Sequence, residues 1–266
     1  MNEETPTSEG TDATSDTVAH TEVASPPDSQ TQSIGHYYQL MHSRCGEILN
    51  ESFAFDTSGL QRISHNFIPD LEKWIALLSS RPEVDLLRAA LREYQFALLA
   101  LVLGQYRQAF MALRLFLELA LGSVFLSANE LQLRVWLRGR RDINWRPLVS
   151  PDDGVFSKFF VDAFFDTLGD DAANYRAIAE RVYRECSEYV HGNAATHSAL
   201  PEDLRFVATV FSDWHEKAAS IRLVISFALV GRYLRSFNKD ERNSLEAIVL
   251  DQLRHVTVIR EVFEQE

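Results

Sequence analysis

Arg184 and His191 are the pair in this sequence whose types and spacing best suit chemistry on a phosphodiester. They lie in the run Tyr183-Arg184-Glu185-Cys186-Ser187-Glu188-Tyr189-Val190-His191-Gly192-Asn193. On a helix, seven residues fall about 20° short of two turns and rise about 10.5 Å, so both side chains project from one face. Ser187 and Glu188, at i+3 and i+4 from Arg184, join them along that stripe, while Ile178, Val182, Cys186 and Tyr189 form the opposite, core-directed face. A guanidinium can neutralise the charge that develops on a phosphorane. A histidine side chain, which titrates near neutrality, can move the proton of a ribose 2′-OH or of the leaving group. The same residues also suit purely structural work. A histidine followed by Gly192 is what an ordinary helix end looks like, and Arg184 could pair with Glu180 or Glu188. Spacing alone leaves both readings open.

Two further constellations carry charge into unusual places. Arg114 and Glu118 form an i,i+4 pair inside the apolar run Met111 to Leu119, where charges must be paired or face a polar cleft. The pair could fix helix register. It could also support the Arg184/His191 stripe from a neighbouring helix, with Glu118 holding Arg184 or Arg114 adding a phosphate contact. Arg134, Arg138, Arg140, Arg141 and Arg146 make the one dense basic cluster, with Trp136 and Trp145 interleaved. Arginine with tryptophan can grip single-stranded nucleic acid by phosphate contact and base stacking; a loop that pairs with the acidic body explains them equally well. His20, His36, His42, His65, His197, His215 and His255 show no ligand spacing, and Cys45 and Cys186 form no metal motif. No metal and no cofactor is expected, nor is there a glycine-rich phosphate loop, a nucleophile elbow or an HExxH motif.

The elements that must position these residues read as helices throughout. Spacings of three and four place Tyr37, Leu40, Met41, Cys45, Ile48 and Leu49 on a first helix. A second is expected to start at Pro69, with Leu71, Trp74, Ile75 and Leu78 as its face, and a third at Pro82. Gly104 separates the third from a fourth over about 106–126. Asn144–Gly154 is expected as a loop and Val155–Leu168 as a Phe-rich helix. Asp170 and Asp171 would cap the helix that runs to His191. Pro201-Glu202-Asp203 is expected to open a long helix to about Phe237, and Asn238-Lys239-Asp240 a last one to the C-terminus. No convincing period-2 alternation occurs, so the expected fold class is all-α, a multi-helix bundle with little or no sheet.

Composition sets the outer bounds. Residues 1–33 hold seven acids and no Lys or Arg, and almost nothing apolar, so they are expected to be a disordered acidic tail. Subtracting those seven from the 38 acids leaves 31 against 26 bases, about −5 of the formal −12. Such a body is no general polyanion binder, and any nucleic-acid contact needs a local patch. Residues 34–266 are read as a single helical domain, with a C-terminal helical pair over 201–266. No signal peptide is visible, and Arg114 and Glu118 interrupt the longest apolar run, so a cytoplasmic protein without a membrane span is expected.

An arginine followed within a few residues by a histidine near a helix end, inside an all-helical chain, resembles the HEPN superfamily. The resemblance covers about 106–193, including Tyr183 to Gly192. It implies a helical bundle, homodimers that bring two motifs into one cleft, and metal-independent cleavage of single-stranded RNA in toxin or phage-defence systems, with an antitoxin or defence protein as partner. It also implies the alternative of a catalytically inactive interaction module. Under the first implication His191 is the acid/base and Arg184 the phosphate clamp.

Overall fold

The computed structural model of the chain describes residues 29–191 and 194–264. The expected disordered tail therefore falls, over residues 1–28, outside the described residues, as does Gly192 as the helix-ending turn. Residues 29–33, placed in the tail by composition, already belong to the first helix. The helices are α1 (Ser29–Phe55), α2 (Leu60–Leu77), α3 (Val84–Val102), α4 (Tyr106–Ser127), α5 (Glu130–Leu137), α6 (Trp145–Leu148), α7 (Lys158–Phe164), α8 (Ala172–Glu188), α9 (Ala194–Ala199), α10 (Ala208–Tyr233), α11 (Lys239–Leu253) and α12 (Thr257–Glu264). No strand occurs among the described residues, so the fold is the expected all-α bundle. The chain divides into two compact units, residues 1–39 and 40–266. In the first, Ile34, Tyr37 and Tyr38 are exposed.

Helix α10 organises the core. Its second half is buried on nearly every side while Asp213, Glu216 and Lys217 give its first half a polar face. Phe211, Trp214, Ile221, Ile225, Phe227 and Tyr233 are all sealed from solvent, and α2, α4, α7, α8 and α11 pack around it. Each fully buried Phe, Leu or Ile contributes about 1.5–3 kcal/mol. The α3–α4 hairpin closes through Gly104, whose φ of 74° lies in the left-handed region. A Cβ there would stand 3.0 Å from Ile48 Cδ1, so both the turn and the packing require glycine. Among the described residues α4 alone is long and apolar enough to cross a membrane, yet 67% of that stretch is buried within the structure.

Several boundaries differ from those the sequence predicts. Helix α2 begins nine residues before Pro69 and carries the proline inside it. Its start is set by the Asp56 carboxylate, which accepts from Leu60 N–H at 2.7 Å and Gln61 N–H at 2.8 Å. The buried stripe Phe67, Leu71, Trp74, Ile75 then carries the helix through Pro69. Pro201 does not open a helix. Residues 201–207 are held out of helical geometry by partners far along the chain: Arg44 Nε donates to Leu204 O at 2.9 Å, and Val207 N–H donates to Tyr106 OH at 2.7 Å. Helix α10 therefore starts at Ala208. The Phe-rich helix shrinks to α7 because Ser157 caps it at Phe160 N–H, 3.0 Å away. Asp171 makes no cap bond at the start of α8, and Asp170 pairs with Lys158 instead. One turn of helix, α6, sits in the expected loop, and the last helix is broken into α11, with its Asn238/Glu241 capping box, and α12.

Candidate functional site

Helix α8 ends at Glu188, three residues before His191, but the helical path continues through the turn. His191 N–H donates to Ser187 O at 3.2 Å and Val190 N–H to the same carbonyl at 3.0 Å. This end is anchored from α4, where Arg107 donates to Tyr189 O at 3.0 Å and Phe110 stacks on the Tyr189 ring at 3.8 Å. Val182, Cys186 and Tyr189 are buried, as their face of the helix requires. Burial pushes the Cys186 thiol up to about 12, as befits a small core residue. On the opposite stripe Glu180, Arg184, Glu188 and His191 are all exposed. Among the described residues neither the Arg184 nor the His191 side chain makes a hydrogen bond or ion pair, so the pairing of Arg184 with Glu180 or Glu188 is not made. Ser187 commits its hydroxyl to Tyr183 O at 2.6 Å.

Arg114 and Glu118 pair with each other at 3.1 Å and are each 20% exposed. Of the readings the sequence left open, the mutual ion pair is made, and Glu118 does not hold Arg184. Both partners converge instead on Tyr183, whose hydroxyl accepts from Arg114 at 2.5 Å and donates to Glu118 at 2.7 Å. The Arg114 guanidinium lies over the Tyr183 ring at 4.6 Å, and Trp145 covers that ring in a parallel stack at 3.8 Å and 3°. Tyr183, a quarter-turn from Arg184, takes the charged pair because it faces α4 while Arg184 faces solvent. Burial raises the Tyr183 phenol, and the Glu118 carboxylate raises it further. Burial works against the Arg114 charge, but Glu118 and Tyr183 outweigh it and hold that guanidinium above its ordinary value. Beside this cluster lies an open cleft of about 430 Å³ lined by Arg114, Glu118, Met111, Leu115, Glu93 and Val190, the last adjacent to His191 in the chain.

The basic cluster divides. Arg134 is paired with Glu130 at 2.6 Å. Arg138, Arg140, Arg141 and Arg146 are exposed, and none has a carboxylate partner among the described residues. Trp145 is committed to Tyr183. Trp136 is half-buried and lines a second, smaller cleft with Arg141, Gln132 and Asn144.

One polar centre gives no signal in the sequence. Ser64, Tyr94, His215 and Arg222 are buried together between α2, α3 and α10. Arg222 donates to Ser64 Oγ at 3.0 Å, and Ser64 Oγ lies 2.8 Å from His215 Nδ1. Burial and the neighbouring Arg222 guanidinium favour a neutral His215, and the direction of its bond with Ser64 follows from which ring nitrogen carries the proton. The centre holds no carboxylate, and Nε2 is buried without a partner. Pairings across 30, 128, 151 and 158 residues create it, so no local pattern could reveal it.

Among the described residues no three His, Cys, Asp or Glu side chains converge as metal ligands. No family model, no curated protein and no solved structure matches the chain.

Proposed function

We propose that the chain is a HEPN-like endoribonuclease of the toxin or phage-defence type, with Arg184 and His191 as its working pair. The observation that carries the reading is that both side chains are exposed with no partner among the described residues, Arg184 on α8 and His191 on the turn that continues it, at a helix end locked from below by Arg107 and Phe110. An unpaired guanidinium and imidazole held on a rigid element are free to engage substrate. In the proposed reaction His191 takes the proton of the 2′-OH as O2′ bonds to phosphorus. The P–O5′ bond breaks, O5′ takes up the proton that His191 carries away from O2′, and the products are a 2′,3′-cyclic phosphate and a 5′-OH end. Arg184 grips the phosphate oxygens bidentately. An open stripe does not exclude water by itself, and a second copy of the chain would close it. Exposed Phe96, Leu99, Met111 and Leu115 on the α3–α4 hairpin, beside α8, offer that copy an apolar seat.

The test is cleavage of single-stranded RNA in chelator, with end analysis. His191→Ala should abolish cutting while the helical circular dichroism persists, and Arg184→Lys should be severely impaired, since an ammonium lacks the planar fork. Intact RNA at high protein concentration, or wild-type cutting by His191→Ala, refutes the reading. The same apolar residues favour a second one, a catalytically inactive interaction module. It predicts a tight complex with a partner protein or a second copy that survives His191→Ala and Arg184→Lys but is lost when Phe96 and Met111 are changed to Glu.

A further inference from the structure

We infer that Arg107 is a second phosphate-binding guanidinium of the site, contributed by α4 and holding the phosphodiester at its His191 end; this rests on the ribonuclease reading above. Position makes the first argument. Arg184 and His191 begin about 10.5 Å apart along the helix axis, so Arg184 reaches the reacting phosphate from two turns away. Arg107 approaches from the other end. Its Nη1 donates to Tyr189 O at 3.0 Å, and Tyr189 is two residues before His191. Two residues span at most about 7.6 Å of backbone, so that guanidinium is held within about 10 Å of the His191 backbone. Among the described residues it is the one arginine that a hydrogen bond ties to the turn carrying His191.

Donor count makes the second argument. A helix-end carbonyl needs one donor, and its neighbours here are already served. Ser187 O accepts from Val190 and His191 N–H, and Glu188 O accepts from Thr196 Oγ1 at 3.2 Å. Arg107 gives Tyr189 O one of its five N–H donors, and no other hydrogen bond or ion pair among the described residues engages the rest. The side chain is half-buried and oriented by the carbonyl bond, so it loses little freedom on gripping an anion. Exposed Arg62, Arg92 and Arg181 also lack a carboxylate partner among the described residues, but none is bonded to the turn that carries His191. Chemistry makes the third argument. Two guanidiniums neutralise the non-bridging oxygens as negative charge builds around phosphorus, and the imidazole stays free for proton transfer.

The experiment measures anisotropy of a fluorescent single-stranded 20-mer of 2′-O-methyl RNA, which lacks the attacking hydroxyl, on the full-length protein at several salt concentrations. Arg107→Gln keeps an N–H donor for Tyr189 O and loses the charge. It should bind at least fivefold more weakly, with a log–log salt slope shallower by about 0.7, the value for one single-strand phosphate no longer neutralised. Arg62→Gln removes the same charge from α2 and should match wild type in both respects. On cleavable RNA of the same sequence, Arg107→Gln should show kcat/KM at least tenfold down. Weaker affinity at an unchanged slope marks a purely structural clip and overturns the proposal. So does an equal effect of Arg62→Gln, or an absence of binding to the 2′-O-methyl strand. Should Arg107→Gln lose helicity, Arg107→Lys decides. It keeps the charge, so the slope should stay while affinity falls at least threefold for want of the planar fork, and wild-type affinity overturns the proposal. If the 2′-O-methyl strand binds as expected while wild type never cuts RNA, the ribonuclease reading fails and the Arg107 site stands. If wild type cuts, and Arg107→Gln cuts and binds as wild type does, the Arg107 proposal alone fails.

Discussion

Replacing His215 by Asn removes a proton-binding site from the core while keeping a hydrogen-bonding group near the position of Nδ1 for the Ser64 hydroxyl. His215 is 3% exposed. Burial lowers its pKa from 6.5 to about 4, opposed by Asp56 and assisted by the Arg222 guanidinium. Because the folded value lies below the unfolded one, the unfolded chain holds more protons between about pH 4 and 6.5. The contribution of a neutral His215 is thus fully present above pH 6.5 and is lost as pH falls towards 4. A gap of about 2.5 pKa units at about 1.4 kcal/mol each corresponds to about 3.5 kcal/mol, of which about 3 kcal/mol is lost by pH 4. Urea unfolding followed by circular dichroism at intervals from pH 7.5 to 4 gives the stability of both proteins. His215→Asn should be the less stable at pH 7, since a smaller side chain leaves a void. Its deficit should shrink by about 3 kcal/mol on acidification, while carboxylate titrations common to both proteins cancel. Parallel profiles would falsify the assignment of a neutral, buried imidazole beside Arg222.

Two further outcomes rest on the same kind of reasoning. Glu118→Ala leaves Arg114 with Tyr183 as its only described partner; with 20% of each side chain exposed to screening solvent, the cost should be about 2 kcal/mol rather than that of a sealed pair. The double change of Arg114 and Glu118 to Leu should recover much of it in urea melts, and a neutral single change would show that the pair holds nothing. Native protein should release one equivalent of thionitrobenzoate from Ellman's reagent, through half-exposed Cys45, and a second only on unfolding. Fully buried Cys186, its thiol pushed up to about 12, is inert in the fold, and rapid reaction of both would contradict its place in the core.

The helical class, the α3–α4 hairpin and the two faces of α8 are legible in the sequence because each depends on local spacing. Gly104 marks a turn that only glycine fits, and Cys186 and Val182 repeat with the helix. What escapes depends on capping side chains and, mostly, on partners remote in sequence. Pro69 looks like a helix start, but Asp56 caps earlier and a buried stripe carries the helix onward. Pro201 looks like another, but Tyr106 and Arg44 hold that segment out of helical geometry. Arg114 and Glu118 are recognisable as a pair, whereas their third member, Tyr183, stands 69 residues from Arg114. The Ser64–His215–Arg222 centre has no signature at all, since serine and histidine on two amphipathic helices are unremarkable until the helices meet.

The central place of α10 has a consequence for how the chain comes to life. The helix on which α2, α4, α7 and α8 pack begins at residue 208, after all of them have been synthesised. At about 5–20 residues per second, translation takes about 10–40 s to reach it. Until then the α3–α4 hairpin can form, but the faces of α2, α4, α7 and α8 that α10 covers stay unburied. Folding of this protein is therefore a late, closing event, and nascent chains stalled before α10 should be the species that chaperones hold and proteases remove.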